Sequence, residues 1–142
     1  MKKSSKLIFA IVAFAVGALV WQWGASLSYT MPLPITHPEN LTYARIDNYE
    51  NNTVKFITQK EDIIKVGEIL NSITVKDSAE NKDSSIQFIV VVSDGKQTKT
   101  YSISGQYIAS EGHWFNYEGA DAAQSMKNAY SAFNYEEKVL SK

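Results

Sequence analysis

Apolar and polar positions divide this chain into one unbroken apolar block and a longer stretch where the two alternate with changing period. Leu7 to Trp21 is an uncharged apolar run with only Gly17 to weaken a helix, and Trp23 to Leu27 continues it beyond Gln22. As a helix, residues 7–27 are about 31 Å long at 1.5 Å per residue, enough to span a bilayer core of about 30 Å. Lys2, Lys3 and Lys6 precede the block, and the first charge after it is Glu39. That asymmetry places the N-terminus in the cytoplasm and the remainder across the membrane.

Two fates of residues 1–27 follow, a signal anchor or a cleaved signal peptide. Trp21 and Trp23 at the outer interface suit an anchor, because indole rings favour that depth. Gly24 with Ser26, or Ser26 with Ser28, offers the small residues a signal peptidase needs. Residues 28–38 hold all three prolines, Pro32, Pro34 and Pro38. Each fixes its own φ and pushes the preceding residue out of the α region, so this segment reads as an extended tether.

From residue 39 the period becomes that of a folded domain. Leu41 to Ile46 and Thr53 to Ile57 read as strands joined by an Asn-rich turn. Thr58 and Glu61 have capping-box spacing. Behind them Ile63, Val66, Leu70 and Ile73 form a helical stripe broadened by Ile64 and Ile69, with Gly67 available for close approach of a strand. Lys76 to Ser84 is polar and reads as a loop.

Ile86 to Val92 and Thr98 to Ser104 flank Asp94-Gly95, a strong hairpin signal because Gly takes positive φ. Ile86, Phe88, Val90 and Val92 share one face of the first of these strands, while Ile89 and Val91 make the other face apolar too. Tyr107 to Ala109 and His113 to Tyr117 suggest a further hairpin. Asp121 with Gln124 opens a second helix marked by Ala122, Met126, Ala129, Tyr130 and Phe133. Residues 39–136 are thus predicted to be one α+β domain. It has a mostly antiparallel sheet of about five or six strands packed by two helices. Residues 137–142 are predicted to fray.

Composition changes this picture in two respects. The segment after Lys6 carries 11 basic and 15 acidic residues, a formal charge of −4, so no basic footprint for nucleic acid exists. Cysteine is absent, which excludes disulfides, thiolate catalysis and attachment of lipid to an N-terminal Cys. The 142 residues leave enough chain after the targeting segment for a single hydrophobic core.

ITHPENLTYARI and ITQKEDIIKVGEIL, within Ile35 to Leu70, resemble small extracytoplasmic domains of Firmicute bacteria, often lipoproteins of unknown function. The shared features are the Pro-Glu-Asn turn and the strand-to-helix transition. This chain departs from that pattern in having no lipid-acceptor Cys. The resemblance implies an exported α+β domain and supplies no catalytic residue.

The candidate chemistry is sparse. The two histidines, His37 and His113, stand far apart, and neither accompanies a nucleophile motif. Gly105, Gly112 and Gly119 are spaced too widely for a phosphate loop. Asp47 and Glu50 flank a turn that offers weak calcium ligands, although Asn and Asp are also good turn formers. No cofactor is expected.

The densest feature is the aromatic stretch His113, Trp114, Phe115, Asn116 and Tyr117, with Tyr107 before it. Strand geometry sends Trp114 and Asn116 one way and His113, Phe115 and Tyr117 the other. Exposed, these rings make a stacking surface for a protein or a sugar; buried, they fill the core under the second helix. Tyr107, His113, Trp114 and Tyr117 are therefore the candidate partner contacts.

The function expected is a non-catalytic interaction domain of the cell envelope, bound to membrane through residues 7–27 if uncleaved, with an envelope protein or glycan as partner. The alternatives are a small cell-wall hydrolase with Glu111 and Glu118 as acid and base, and an inhibitor or immunity-type protein.

Overall fold

The computed structural model describes residues 35–118 and 121–141. The expected membrane segment lies outside them. Among the described residues eight strands form one sheet: β1 (Tyr43–Asn48), β2 (Thr53–Ile57), β3 (Thr74–Ala79), β4 (Phe88–Ser93), β5 (Thr98–Ser104), β6 (Tyr107–Ser110), β7 (His113–Glu118) and β8 (Lys138–Val139). The helices are α1 (Lys60–Asn71) and α2 (Ala122–Ala132). The spatial order is β3-β7-β6-β5-β4-β1-β2-β8, and every neighbouring pair is antiparallel. The α+β class matches the expectation, with more strands than expected.

Both additional strands come from polar sequence. β3 lies in the stretch expected to be a loop from Lys76 onward. As an edge strand with mostly exposed side chains it needs no apolar alternation, and its register against β7 shifts between Val75 and Ser78. β8 lies in the tail expected to fray; it is two exposed residues paired to Thr53 and Val54.

Strand register defines two sheet faces. The inner face carries Ala44, Ile46, Ile57, Phe88, Val90, Val92, Tyr101, Ile103, Ile108, Phe115 and Tyr117. These pack with Ile63, Val66 and Leu70 of α1 and with Ala122, Met126 and Tyr130 of α2 in one core. The predicted stripes are buried at Ile63, Val66 and Leu70 of α1 and at Ala122, Met126 and Tyr130 of α2; Ile64, Ile69 and Ala129 are half-buried, and Ile73 and Phe133 lie just past the helix ends. The second side of β4 is less covered, with Val91 buried and Ile89 half-buried, as a central strand with apolar residues on both faces requires.

Turns and caps differ in detail from expectation. The Thr58–Glu61 capping box does not form; α1 starts at Lys60, and its N-cap Gln59 makes no side-chain cap. Asp121 does cap α2, its Oδ1 accepting from the Gln124 amide at 3.2 Å. The Gln124 side chain turns instead to Asn128 Oδ1 at 2.9 Å. The Asp94-Gly95 hairpin joins β4 to β5, with Gly95 at φ +90°.

Gly67 is approached not by a strand but by a 3-10 turn at Pro38–Asn40. The packed domain also begins before residue 39. Ile35 is buried in the core, and Asn71 holds its backbone at both ends. The Asn71 Oδ1 accepts from the Ile35 amide, and its Nδ2 donates to the Ile35 carbonyl at 3.0 Å.

Candidate functional site

The four expected contact residues lie along β6 and β7 but do not form a common surface. Phe115 and Tyr117 belong to the inner core, while Trp114 and Tyr107 face the outer side. Trp114 is only 3% exposed. It sits beside the 3-10 turn Asp83–Ser85, with Nε1 donating to Asp83 Oδ1 at 2.8 Å. Tyr117 is 7% exposed and donates its hydroxyl to the Gly105 carbonyl at 2.9 Å. Burial, with the Asp121 charge adding to it, pushes that phenol above its ordinary range.

Tyr107 is half-buried with Lys82 Nζ 4.6 Å from its ring centre, and His113 is exposed at the start of β7. The stacking surface expected of Trp114 and Tyr117 is therefore absent, because both rings are consumed by packing and by their own hydrogen bonds. The sequence signal for this was Phe115 and Tyr117 alternating with Trp114, which gives both faces of β7 large apolar rings.

The other candidates separate in the same way. Glu111 occupies an exposed turn at φ +53° before β7, and Glu118 is the last residue of that strand. At about 3.4 Å per residue the intervening strand alone spans roughly 17 Å, against about 5–9.5 Å for a glycosidase carboxylate pair. Asp47 and Glu50 also go to separate partners. Glu50 accepts from Gln87 Nε2 at 2.8 Å and lies 3.7 Å from Lys127. The turn between them is organised by Asn48, whose Oδ1 accepts from the amides of Glu50 and Asn51. Among the described residues no cluster of three or more metal-ligating side chains occurs. His37, in the N-terminal approach, pairs with Glu39 at 2.9 Å, both side chains being exposed.

Two buried charges were not legible in the sequence. Lys55 points into the inner face, donating to the carbonyls of Tyr130 at 2.6 Å and Phe133 at 2.8 Å. Its Nζ also lies 4.5 Å from the Tyr130 ring centre. A cation there meets the free carbonyls and negative dipole end of α2, whose last turn has no basic residue of its own. Asp47 is buried on the outer face beside Arg45. Arg45 Nε and Asp47 Oδ1 are 2.9 Å apart without the alignment of a hydrogen bond, and the aligned contact runs from Nη2 to Oδ2 at 3.3 Å. Burial raises the Asp47 carboxyl above the usual range despite the guanidinium.

Arg45 lies on the outer face among partly exposed rings. Phe56 stands directly opposite it on β2, Val91 opposite it on β4, and Tyr43 lies two residues earlier on the same face. Phe56 is 39% and Tyr43 37% exposed, so two large rings flank a half-buried Arg on a sheet surface. Lys138 of β8 reaches over Phe56, with Nζ 5.6 Å from its ring centre. The two helices cover the opposite side. An open groove of about 560 Å³ runs between α1 and the end of α2, bordered by Asp62, Lys65, Glu68, Ile69 and Phe133. Its walls mix both signs of charge with alkyl surface.

No protein-family model matches the chain, and neither does any curated protein or solved structure.

Proposed function

We propose that this chain is an extracytoplasmic interaction domain of the bacterial envelope that binds a protein partner through the outer sheet face around Tyr43, Arg45 and Phe56. The observation that carries the reading is the pairing of two half-open aromatic rings with Arg on one side of the sheet. Tyr, Phe and Arg are the side chains enriched at protein interfaces, and a well-packed domain has no internal use for them there. A protein is favoured over a glycan because the rings lie on the paired strands β1 and β2, on an open sheet face.

Export is part of the same proposal. The Lys-flanked apolar segment before Glu39 and the resemblance of residues 35–70 to Firmicute extracytoplasmic domains both support it. On this reading the domain works by shape and apolar contact, and the buried Lys55 and Asp47 serve the fold rather than a reaction.

The test is crosslinking of the tagged full-length protein in its host, followed by mass spectrometry of what co-purifies. A reproducible partner should appear with the native chain and be lost from the double variant Tyr43→Ser, Phe56→Ser. Both rings are half-open and lie in paired strands, so the variant's stability should fall by about 1 kcal/mol per site, which leaves the domain folded. Undiminished capture by the double variant sinks the proposed surface. The same sample gives the mature N-terminus: an intact mass starting near residue 27 or 29 means secretion, and a full-length mass means an anchor.

A further inference from the structure

The C-terminal segment after α2 lies along the exposed edge of β2 as a strap held by a few separable contacts. Its backbone pairing is limited to Val139 with Thr53 and Lys138 with Val54, extended by the Leu140 amide donating to the Asn52 carbonyl at 3.0 Å. Continuing the same register places Glu137 opposite Lys55, and Glu137 Oε1 is 3.9 Å from Lys55 Nζ. Further along, Tyr135 accepts from the Gln59 amide at 3.1 Å and donates to Asp62 Oδ2 at 2.6 Å, at the start of α1.

The strap buries little of itself. Glu136, Glu137, Lys138 and Val139 are all exposed, and Val139 is 77% exposed. Beyond Val54, the strap is held to β2 and α1 mainly through side chains, whereas β4 and β5 pair over six residues.

We propose that the β2 edge is a strand-addition site occupied by the chain's own strap, and that it takes in exchange an extended peptide of a partner protein carrying a Tyr-x-Glu pattern. The strap reports what the edge recognises. A phenol reaches the start of α1, a carboxylate two positions later faces the buried Lys55, and the next residues complete the ladder with Val54 and Thr53. Main-chain pairing supplies affinity in such sites and alternate side chains supply selectivity. The occupied edge also keeps β2 from pairing indiscriminately, as edge strands must be kept. This deepens the interaction-domain reading and rests on it, since the edge adjoins the Phe56 patch through Lys138.

The inference is testable on the purified full-length chain in detergent, using a fluorescent peptide with the sequence of residues 134–141. In the native chain the tethered strap outcompetes the free peptide, so apparent affinity is reduced by the fraction of open chains. Tyr135→Phe with Lys138→Pro weakens the strap, one change removing a hydroxyl and the other a ladder amide. Neither alters the β2 edge. This variant should bind the peptide at least about tenfold more tightly than the native chain.

Tyr135→Phe alone, a one-atom change that leaves the backbone intact, should give a smaller increase of the same sign. A peptide with Ala for its Tyr and Lys for its second Glu should lose the gain. Equal binding by native and variant chains, or equal binding of both peptides, overturns the inference. So does a strap variant that self-associates and leaves the peptide unbound, since the edge would then be closing on a second copy. Because this assay uses a synthetic peptide and leaves Tyr43 and Phe56 intact, its failure is separable from loss of a partner at the outer patch.

Discussion

Individual residues in this domain show how strongly burial redirects polar chemistry. Lys55 lies in a β-rich run beside Val54 and Phe56, where alternation alone puts it on the side of Thr53 and Ile57. That side is the core, and the ammonium is tolerated there because the carbonyls at the end of α2 satisfy it. Tyr101 is fully buried on the same face, and burial pushes its phenol up to about 12 from an ordinary 10.0. The unfolded chain therefore loses this proton first as pH rises. The stability involved is fully present below pH 10 and is lost as pH rises through about 12. A two-unit shift corresponds to roughly 2–3 kcal/mol. Chemical denaturation of native chain and Tyr101→Phe across that window should show a flatter decline for the variant; parallel declines would mean that this phenol is not responsible.

At the scale of elements, the contacts of α1 explain a glycine in the middle of a helix. A Cβ at Gly67 would meet Leu41 Cδ1 at 2.8 Å and Pro38 Cβ at 3.1 Å. Pro38 is rigid and Leu41 is buried, so neither moves aside easily. Gly67→Ala gains about 1 kcal/mol of helix propensity. Overpacking costs about 1–3 kcal/mol, so the expected net effect is destabilisation, read as a lower urea midpoint at constant slope. A raised midpoint would show that the 3-10 turn yields to the methyl group. The same turn leads to Ile35 and its clamp at Asn71, so one short segment joins the domain's beginning to the end of α1. The Pro-Glu-Asn motif is thus a packing device, and its local sequence carried no sign of the helix it touches.

For the domain as a whole, the sheet order predicts how stability is distributed. β4 and β5 lie at the centre, paired on both edges, and contribute Phe88, Val90, Tyr101 and Ile103 to the core. The outermost strands, β3 and β8, are polar, and β8 has only two paired residues. Native-state hydrogen exchange should therefore be slowest in β4 and β5, intermediate in β1 and β2, and fastest in β3 and β8. Protection of β8 equal to that of β4 would contradict this order and the proposed exchange of the strap with it. Layering also explains which rings stay open. The inner face is filled by helices, so among the described residues the exposed rings on the sheet are those of Tyr43 and Phe56 on the other side.

The sequence by itself determined those features that local physics dictates. Period-2 alternation and Asp94-Gly95 gave the β4–β5 hairpin, helical spacing gave the buried stripes of α1 and α2, and Asp121 announced its cap. Tertiary structure alone decided what depends on neighbours distant in the chain. β3 and β8 are polar because edge strands need only one partner and no buried face, so composition could not reveal them. Trp114 and Tyr117 look alike in sequence to a binding surface and to a core. Only the strands and turns brought over them made them interior. The sequence reads Asp47 as a turn residue and assigns Lys55 no role; the end of α2 and the side chain of Arg45 supply the partners that allow their burial.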